Sequence, residues 1–446
     1  MQICAPSRAS LFTGLYARTH GLVCNGIALN PAVPTLPQAL STNGYRTHGI
    51  GKFHLQPILA GSDLNMPESV AFWRSRNDPN WTGPYYGFDT VEFVIGDGDE
   101  TVKAGHYADW LARHHPKAGQ LYASANACNP APADLDECFA SAIPHQLHYN
   151  SWIADRAVEF LERQEDEPFF LFVSFPDPHH PFTPPRPYCD RHDPNTVLMP
   201  RVVDGELDRM PPYLRDPLDP LEQGALIHTS GLSESTLRRV IAYYYGMVEM
   251  IDDCMGRVMD KLNRTGLRDR TTILFTSDHG ELLGDHGLLR KGPAPYRQLL
   301  EVPCIINSPG IGTRRRIDAL TSHLDLAPTL LDLAGIRESD LQADGQSIVP
   351  LLEGRTESLH DHLFAEYHPR GMLDLYNQTI RTDRWRMTLY PEHENWGELF
   401  DLQADPYENH NIFSESSSGT VKDELGAVMQ REFAPHPVLP KRVSRR

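Results

Sequence analysis

The feature that narrows the fold most is the run Phe169-Phe170-Leu171-Phe172-Val173-Ser174-Phe175. It lacks polar alternation, so it fits a strand covered on both faces, as in a parallel sheet. Thr271 to Ser277 and Val302 to Asn307 read as buried strands too, and Tyr45 to Phe53 as a further strand. Helical stretches intervene at Pro34 to Asn43, closed by Gly44, at Trp152 to Glu162, at about 234 to 264, ending near Gly266, and at Asp325 to Ala334. This alternation predicts an α/β fold, a doubly wound, mostly parallel sheet flanked by helices. From about residue 361 the texture changes. His362 to Tyr367, Asn377 to Arg381, Trp385 to Tyr390 and Glu398 to Leu402 predict a smaller antiparallel sheet, closed by a helix from about 420 to 432. The expected division is an α/β body over 1–360 and an antiparallel subdomain over 361–446.

A chain of 446 residues has room for roughly two to three domains with ample core. The 41 basic and 59 acidic residues give a net charge of −18, which argues against nucleic acid or an anionic membrane as main partner. An anionic substrate stays open, because a few local cations decide a pocket. No apolar run reaches the roughly 18 residues that span a bilayer. No charged-then-apolar leader stands at the start, and the compartment is left open. The seven cysteines (4, 24, 128, 138, 189, 254 and 304) form no Cys-x-x-Cys pair, so zinc and dithiol sites are not expected. Cys128 and Cys138 flank a Pro/Ala-rich loop and are a minor expectation for a disulfide. Stretches 56–105, 115–148 and 185–232 read as functional rims or lids. Trp73, Trp81, Tyr85, Tyr86 and Trp110, in or beside them, are read as satellite core slightly ahead of a surface for stacking a sugar or aryl ring. Asp252-Asp253 reads as a polar helix face, and 441–446 as a solvated basic tail.

In open α/β sheets, sites gather at the carboxyl ends of strands. Three sets of residues follow the expected strands. Lys52 and His54 come at the end of the Tyr45 strand, and His179-His180-Pro181-Phe182 after the Phe169 run. Thr276-Ser277-Asp278-His279-Gly280-Glu281 follows the Thr271 strand, with Lys291 shortly downstream. A fourth set, Cys4-Ala5-Pro6-Ser7-Arg8, leads into a helix expected from Ser7 to about Tyr16, with Ser7 as N-cap. Each residue alone is structural as often as functional, but four coinciding sets favour function. Histidines, lysines, an arginine and a carboxylate pooled in this way suit a tetrahedral anion with a metal beside it. A phosphate loop is excluded, since Gly51-Lys52 is followed by Phe53 and lacks the required upstream glycine. Neither His-Glu-x-x-His nor Gly-x-Ser-x-Gly occurs, so metalloprotease and serine-hydrolase readings have no support.

Cys4-Ala5-Pro6-Ser7-Arg8 with Thr13-Gly14 resembles the sulfatase signature Cys-x-Pro-Ser-Arg-x-x-x-x-Thr-Gly. The resemblance extends to Gly51-Lys52-Phe53-His54, Pro178 to Pro181, Ser277 to Gly280, Lys291, and Gly397 to Leu402 followed by Asp405-Pro406-Tyr407-Glu408. It implies an alkaline-phosphatase-like fold and hydrolysis of a small-molecule or carbohydrate sulfate ester. The implied nucleophile is formylglycine, made from Cys4 by a formylglycine-generating enzyme. The implied metal is Ca²⁺, with Mn²⁺ or Mg²⁺ as alternatives, held by Asp278 and His279. By the same resemblance Arg8 stabilises the hydrated aldehyde, and Lys52 and Lys291 bind non-bridging oxygens. His54 contacts the second hydroxyl and helps expel sulfate, and His179 protonates the leaving oxygen, with His180 the weaker candidate. The chain departs from the family pattern in two ways. Only Met1-Gln2-Ile3 precede Cys4, where the family has a strand ending in paired aspartates, so the α/β body is expected to be N-terminally incomplete and to bind metal weakly. His279 also stands where asparagine is frequent. A phosphonate monoester or phosphodiester hydrolase of the same architecture is the alternative, and an inactive truncated fragment is another. The oligomeric state is not fixed by the sequence.

Overall fold

Three strands form the parallel sheet in the order Thr90–Phe93, Arg46–Gly51, Phe169–Ser174. They belong to a computed structural model that describes residues 2–433, apart from 77, 165–166, 216–225, 313–314, 338–340 and 369–374. Arg46 lies opposite Phe169 and Gly51 opposite Ser174. At that last pair the backbones approach so closely that a Cβ on Gly51 would lie 1.9 Å from the Ser174 carbonyl oxygen. Only glycine fits there, and its φ of 100° turns the chain out of the sheet into Lys52.

The described chain divides into two compact units. One comprises the described residues within 2–34, 200–228 and 272–433; the other comprises those within 35–199 and 229–271. The parallel sheet lies in the second unit. There the helix Tyr149–Glu162 packs on the long helix Glu234–Arg264, whose start is capped by the Ser233 side chain accepting from the Thr236 amide. Leu237, Val240, Ile241, Met247, Met250, Cys254, Val258 and Leu262 recur at helical spacing and are buried, which gives this helix its apolar stripe. Asp253 sits on its polar face and accepts from the Tyr188 hydroxyl at 2.9 Å.

In the first unit an antiparallel sheet runs in the order Gly397–Asp401, Trp385–Leu389, Asn377–Arg381, Leu363–Tyr367. Ile380, Met387 and Leu399 of this sheet form a core with Leu425, Met429 and Phe433 of and beside the helix Gly419–Glu432. Arg386, 1% exposed, is paired with Glu398 at 2.8 Å and with Glu408. Tyr390 donates to the other Glu398 oxygen at 2.6 Å, so the buried charges are met by partners.

Several expectations are corrected. The first helix is Cys4–Thr13, with Ile3 in the capping position and no side-chain cap; Ser7 lies a turn inside it, and Tyr16 is beyond its end. Residues 169–173 are half-buried instead of fully covered. Ile273–Thr276 and Cys304–Asn307 pair antiparallel with each other, and Phe275 and Ile305 are 38% and 62% exposed. Cys128 and Cys138 form no disulfide with each other; Cys128 is exposed and Cys138 buried. Trp73 and Tyr85 are buried, in keeping with satellite core. Among the described residues no helix is long and apolar enough to cross a membrane. The basic tail at 441–446 lies outside the described residues.

Candidate active site

In the first unit several of the predicted site residues gather at the start of a helix. Cys4 and Arg8 are four residues apart, hence on one face. Cys4 is buried, and its Sγ lies 3.1 Å from Nε2 of His279. Nδ1 of His279 lies 2.8 Å from the Gly280 carbonyl; donating there leaves Nε2 to accept from the thiol. Arg8 donates from Nε to Asp278 Oδ2 at 2.7 Å. Asp278 and His279 follow the Ile273–Thr276 strand in a turn that requires Gly280, whose Cβ would meet the Gln298 carbonyl oxygen at 1.8 Å. Burial works to lower the His279 pKa, but Asp278 and Cys4 outweigh it and hold it above the usual value. Lys291, 3% exposed, opposes that rise through its charge. Cys4, Arg8, Asp278 and His279 are thus brought together, and Lys291 is close enough for His279 to feel its charge.

Ser7 serves the same cluster. Its hydroxyl donates to the Asp278 carbonyl at 2.5 Å and lies 3.0 Å from Nδ1 of His323. With its one proton committed, the hydroxyl accepts from His323, whose Nε2 is buried without a hydrogen-bond partner among the described residues. Burial holds the His323 pKa down at about 4 and keeps the ring neutral. Sequence reasoning missed this histidine.

Among the described residues, the ligand atoms of Cys4, Asp278 and His279 form one group within 4.8 Å of one another. One carboxylate, one imidazole and one sulfur fit a divalent ion in donor type. They supply Ca²⁺ with fewer oxygens than the about six to eight it takes, and the imidazole favours a transition ion such as Mn²⁺.

The second unit holds the remaining predicted residues. Lys52 is 3% exposed and donates from Nζ to Asp97 Oδ1 at 2.7 Å. Nδ1 of His179 lies 3.5 Å from the other Asp97 oxygen, so Asp97 brings Lys52 and His179 together. His180 stacks on His179 with ring centroids 4.0 Å apart. His54 follows at φ 61°, and both of its buried ring nitrogens lack a hydrogen-bond partner among the described residues. Glu68 accepts from the His54 amide at 2.5 Å. Asp177, two residues before His179, is buried and accepts from the Tyr149 hydroxyl and, at 2.8 Å, from the Asn150 side chain. Asp97, Glu68 and Asp177 were also missed in the sequence.

A buried thiol gathered with an arginine, a carboxylate and an imidazole, with a lysine's charge felt there, is a donor set suited to a tetrahedral anionic ester. The Sulfatase family model matches residues 2–336, and the model described as N-sulphoglucosamine sulphohydrolase, C-terminal, matches 284–434. The chain belongs to the sulfatase family and is a sulfuric ester hydrolase. It is 29% identical to an uncharacterized sulfatase, YidJ, of Escherichia coli, over 95% of this chain and 76% of that protein. It is 28% identical to an arylsulfatase of Clostridium perfringens, over 96% of this chain and 84% of the other. Among solved structures, the phosphonate monoester hydrolase of Agrobacterium radiobacter is similar, with a TM-score of 0.77 and 25% identity, covering 96% of this chain and 85% of that one.

Proposed function

We propose that the chain hydrolyses a small-molecule or carbohydrate sulfate ester through a formylglycine made from Cys4 by a formylglycine-generating enzyme. The carrying observation is the buried Cys4 thiol at the helix start, 3.1 Å from His279 and one turn from an arginine locked onto Asp278. Asp278 and His279 would hold the divalent ion, which when bound supplies positive charge for the sulfuryl oxygens. Arg8, fixed by Asp278, keeps a cation on the face of the helix that carries residue 4, where the hydrated aldehyde would attack sulfur. Lys291 adds charge for non-bridging oxygens as negative charge builds in the transition state. For the second unit the support is the family resemblance. Lys52 binds a non-bridging oxygen, His54 helps expel sulfate, and His179 protonates the leaving alcohol, work suited to an imidazole.

The rival reading is a phosphonate monoester hydrolase, favoured by the likeness to the Agrobacterium enzyme. One experiment separates the two. Mass spectrometry of the Cys4 peptide from protein made with the modifying enzyme should show thiol converted to aldehyde. The same preparation, with Mn²⁺ or Ca²⁺ added, should cleave an aryl sulfate faster than the matching aryl phosphonate, and Cys4→Ala should do neither. Preference for the phosphonate would install the rival. A free thiol in a preparation that nonetheless turns over would remove the formylglycine mechanism.

A further inference from the structure

Glu68 belongs to no motif and stands in an irregular stretch, yet its carboxylate is 4% exposed and receives four donors. Oε2 accepts from the His54 amide at 2.5 Å; Oε1 accepts from the amides of Leu55 at 2.7 Å and Gln56 at 3.0 Å, and from the Tyr85 hydroxyl. The side chain of Gln56 answers by accepting from the Glu68 amide at 3.4 Å. Burial holds the proton affinity of Glu68 above the ordinary carboxylate value, and the donors, Tyr85 first, offset only part of that rise. Tyr85 is itself fixed, packed edge-on against Phe53 at 5.6 Å and Phe93 at 5.0 Å.

What this carboxylate grips is a turn that His54 enters at φ 61°, a left-handed conformation that a side chain bearing Cβ adopts only when the surroundings impose it. The imidazole gains nothing visible from being there. It is 8% exposed, and neither ring nitrogen has a hydrogen-bond partner among the described residues. A buried imidazole with two unmet nitrogens is a costly resting arrangement, of the kind found where a ligand completes the bonding. We infer that Glu68, clamped by Tyr85, is a positioning residue for His54: it holds the strained turn so that the imidazole is presented with both nitrogens open. The inference rests on the role given to His54 in the proposed function and adds what sets its geometry.

The test is a double-mutant cycle on the modified enzyme with an aryl sulfate, each variant checked by thermal melting. Glu68→Gln leaves one carboxylate oxygen replaced by a donor facing backbone N–H groups. It should lower kcat by roughly 10- to 100-fold with little change in KM, the scale of a misplacement near 1 Å. Tyr85→Phe, which keeps the carboxylate, should show a smaller loss in kcat and carries the same cycle if the Glu68 variant does not fold. The double variant with His54→Ala should be no slower than His54→Ala alone, because Glu68 acts through His54. Losses that multiply in the double variant overturn the inference, as does a change in melting alone. If His54→Ala keeps wild-type kcat, the proposed role of His54 fails. The clamp is then judged by the ring ¹⁵N signals of His54, which must move in Glu68→Gln or Tyr85→Phe for it to stand.

Discussion

At Asp177 the fold retains a proton that water would remove. Burial pushes its pKa from 3.8 up to about 7, although Tyr149 and Asn150 donate to it. Below pH 4 native and unfolded chains both hold this proton. Between about 4 and 7 the unfolded chain has lost it and the native chain keeps it, so this residue's contribution to stability falls as pH rises and levels off above 7. The expected slope is about 1.4 kcal/mol per pH unit. Buried histidines act in the opposite sense. Burial lowers His20, His48, His106 and His323 to about 4 and His148 to about 3, so the unfolded chain takes up protons below its ordinary histidine pKa and stability rises with pH through that range. The term due to Asp177 is therefore a difference. Urea unfolding of wild type and Asp177→Asn from pH 4 to 8 should show the wild type losing stability relative to the variant up to about pH 7. Parallel curves would mean that the carboxyl ionises normally.

Among the elements, the turn from sheet to site at Gly51 is the least forgiving. Gly51→Ala combines a φ of 100° with a Cβ placed 1.9 Å from the Ser174 carbonyl, and should cost at least about 2 kcal/mol in urea unfolding. A near-neutral result would mean that the two strands separate readily. The elements easiest to read in the sequence were those whose signals are local. Ser233, the apolar stripe and Gly266 bracket the helix Glu234–Arg264, and the four C-terminal strands fall within a residue or so of their expected ends. Ser7 misled because its hydroxyl is taken by the Asp278 carbonyl, far along the chain, which outweighs a local capping preference. The partners of Ile273–Thr276 and Cys304–Asn307 are likewise set by neighbours no short window contains. Cys4 and Arg8 were legible as a pair through the signature Cys-x-Pro-Ser-Arg, whereas their shared helix face was not, because the helix was expected to begin only at Ser7. Asp97 had a faint signal in the flanking Gly96 and Gly98, and His323 in the capping box of Ser322 and Asp325. Glu68 had none, since three of its four donors are backbone amides and the fourth, Tyr85, is distant in sequence.

For the molecule as a whole, the ribbon made by Ile273–Thr276 and Cys304–Asn307 governs something unrelated to sulfate chemistry. Its two strands pair only with each other among the described residues, and Phe275 and Ile305 face solvent. Apolar edge strands of this kind template pairing between chains. A net charge of −18 holds the chains apart at low ionic strength, and salt removes that protection by screening it. Light scattering should therefore begin at a lower temperature as salt is raised. Ile305→Lys should delay it without moving the unfolding midpoint; if scattering tracks unfolding in both proteins, the ribbon is not the nucleus. If scattering follows that course, the limit on how concentrated and how saline a solution of this enzyme can be lies in two short strands, through colloidal behaviour and not through catalysis.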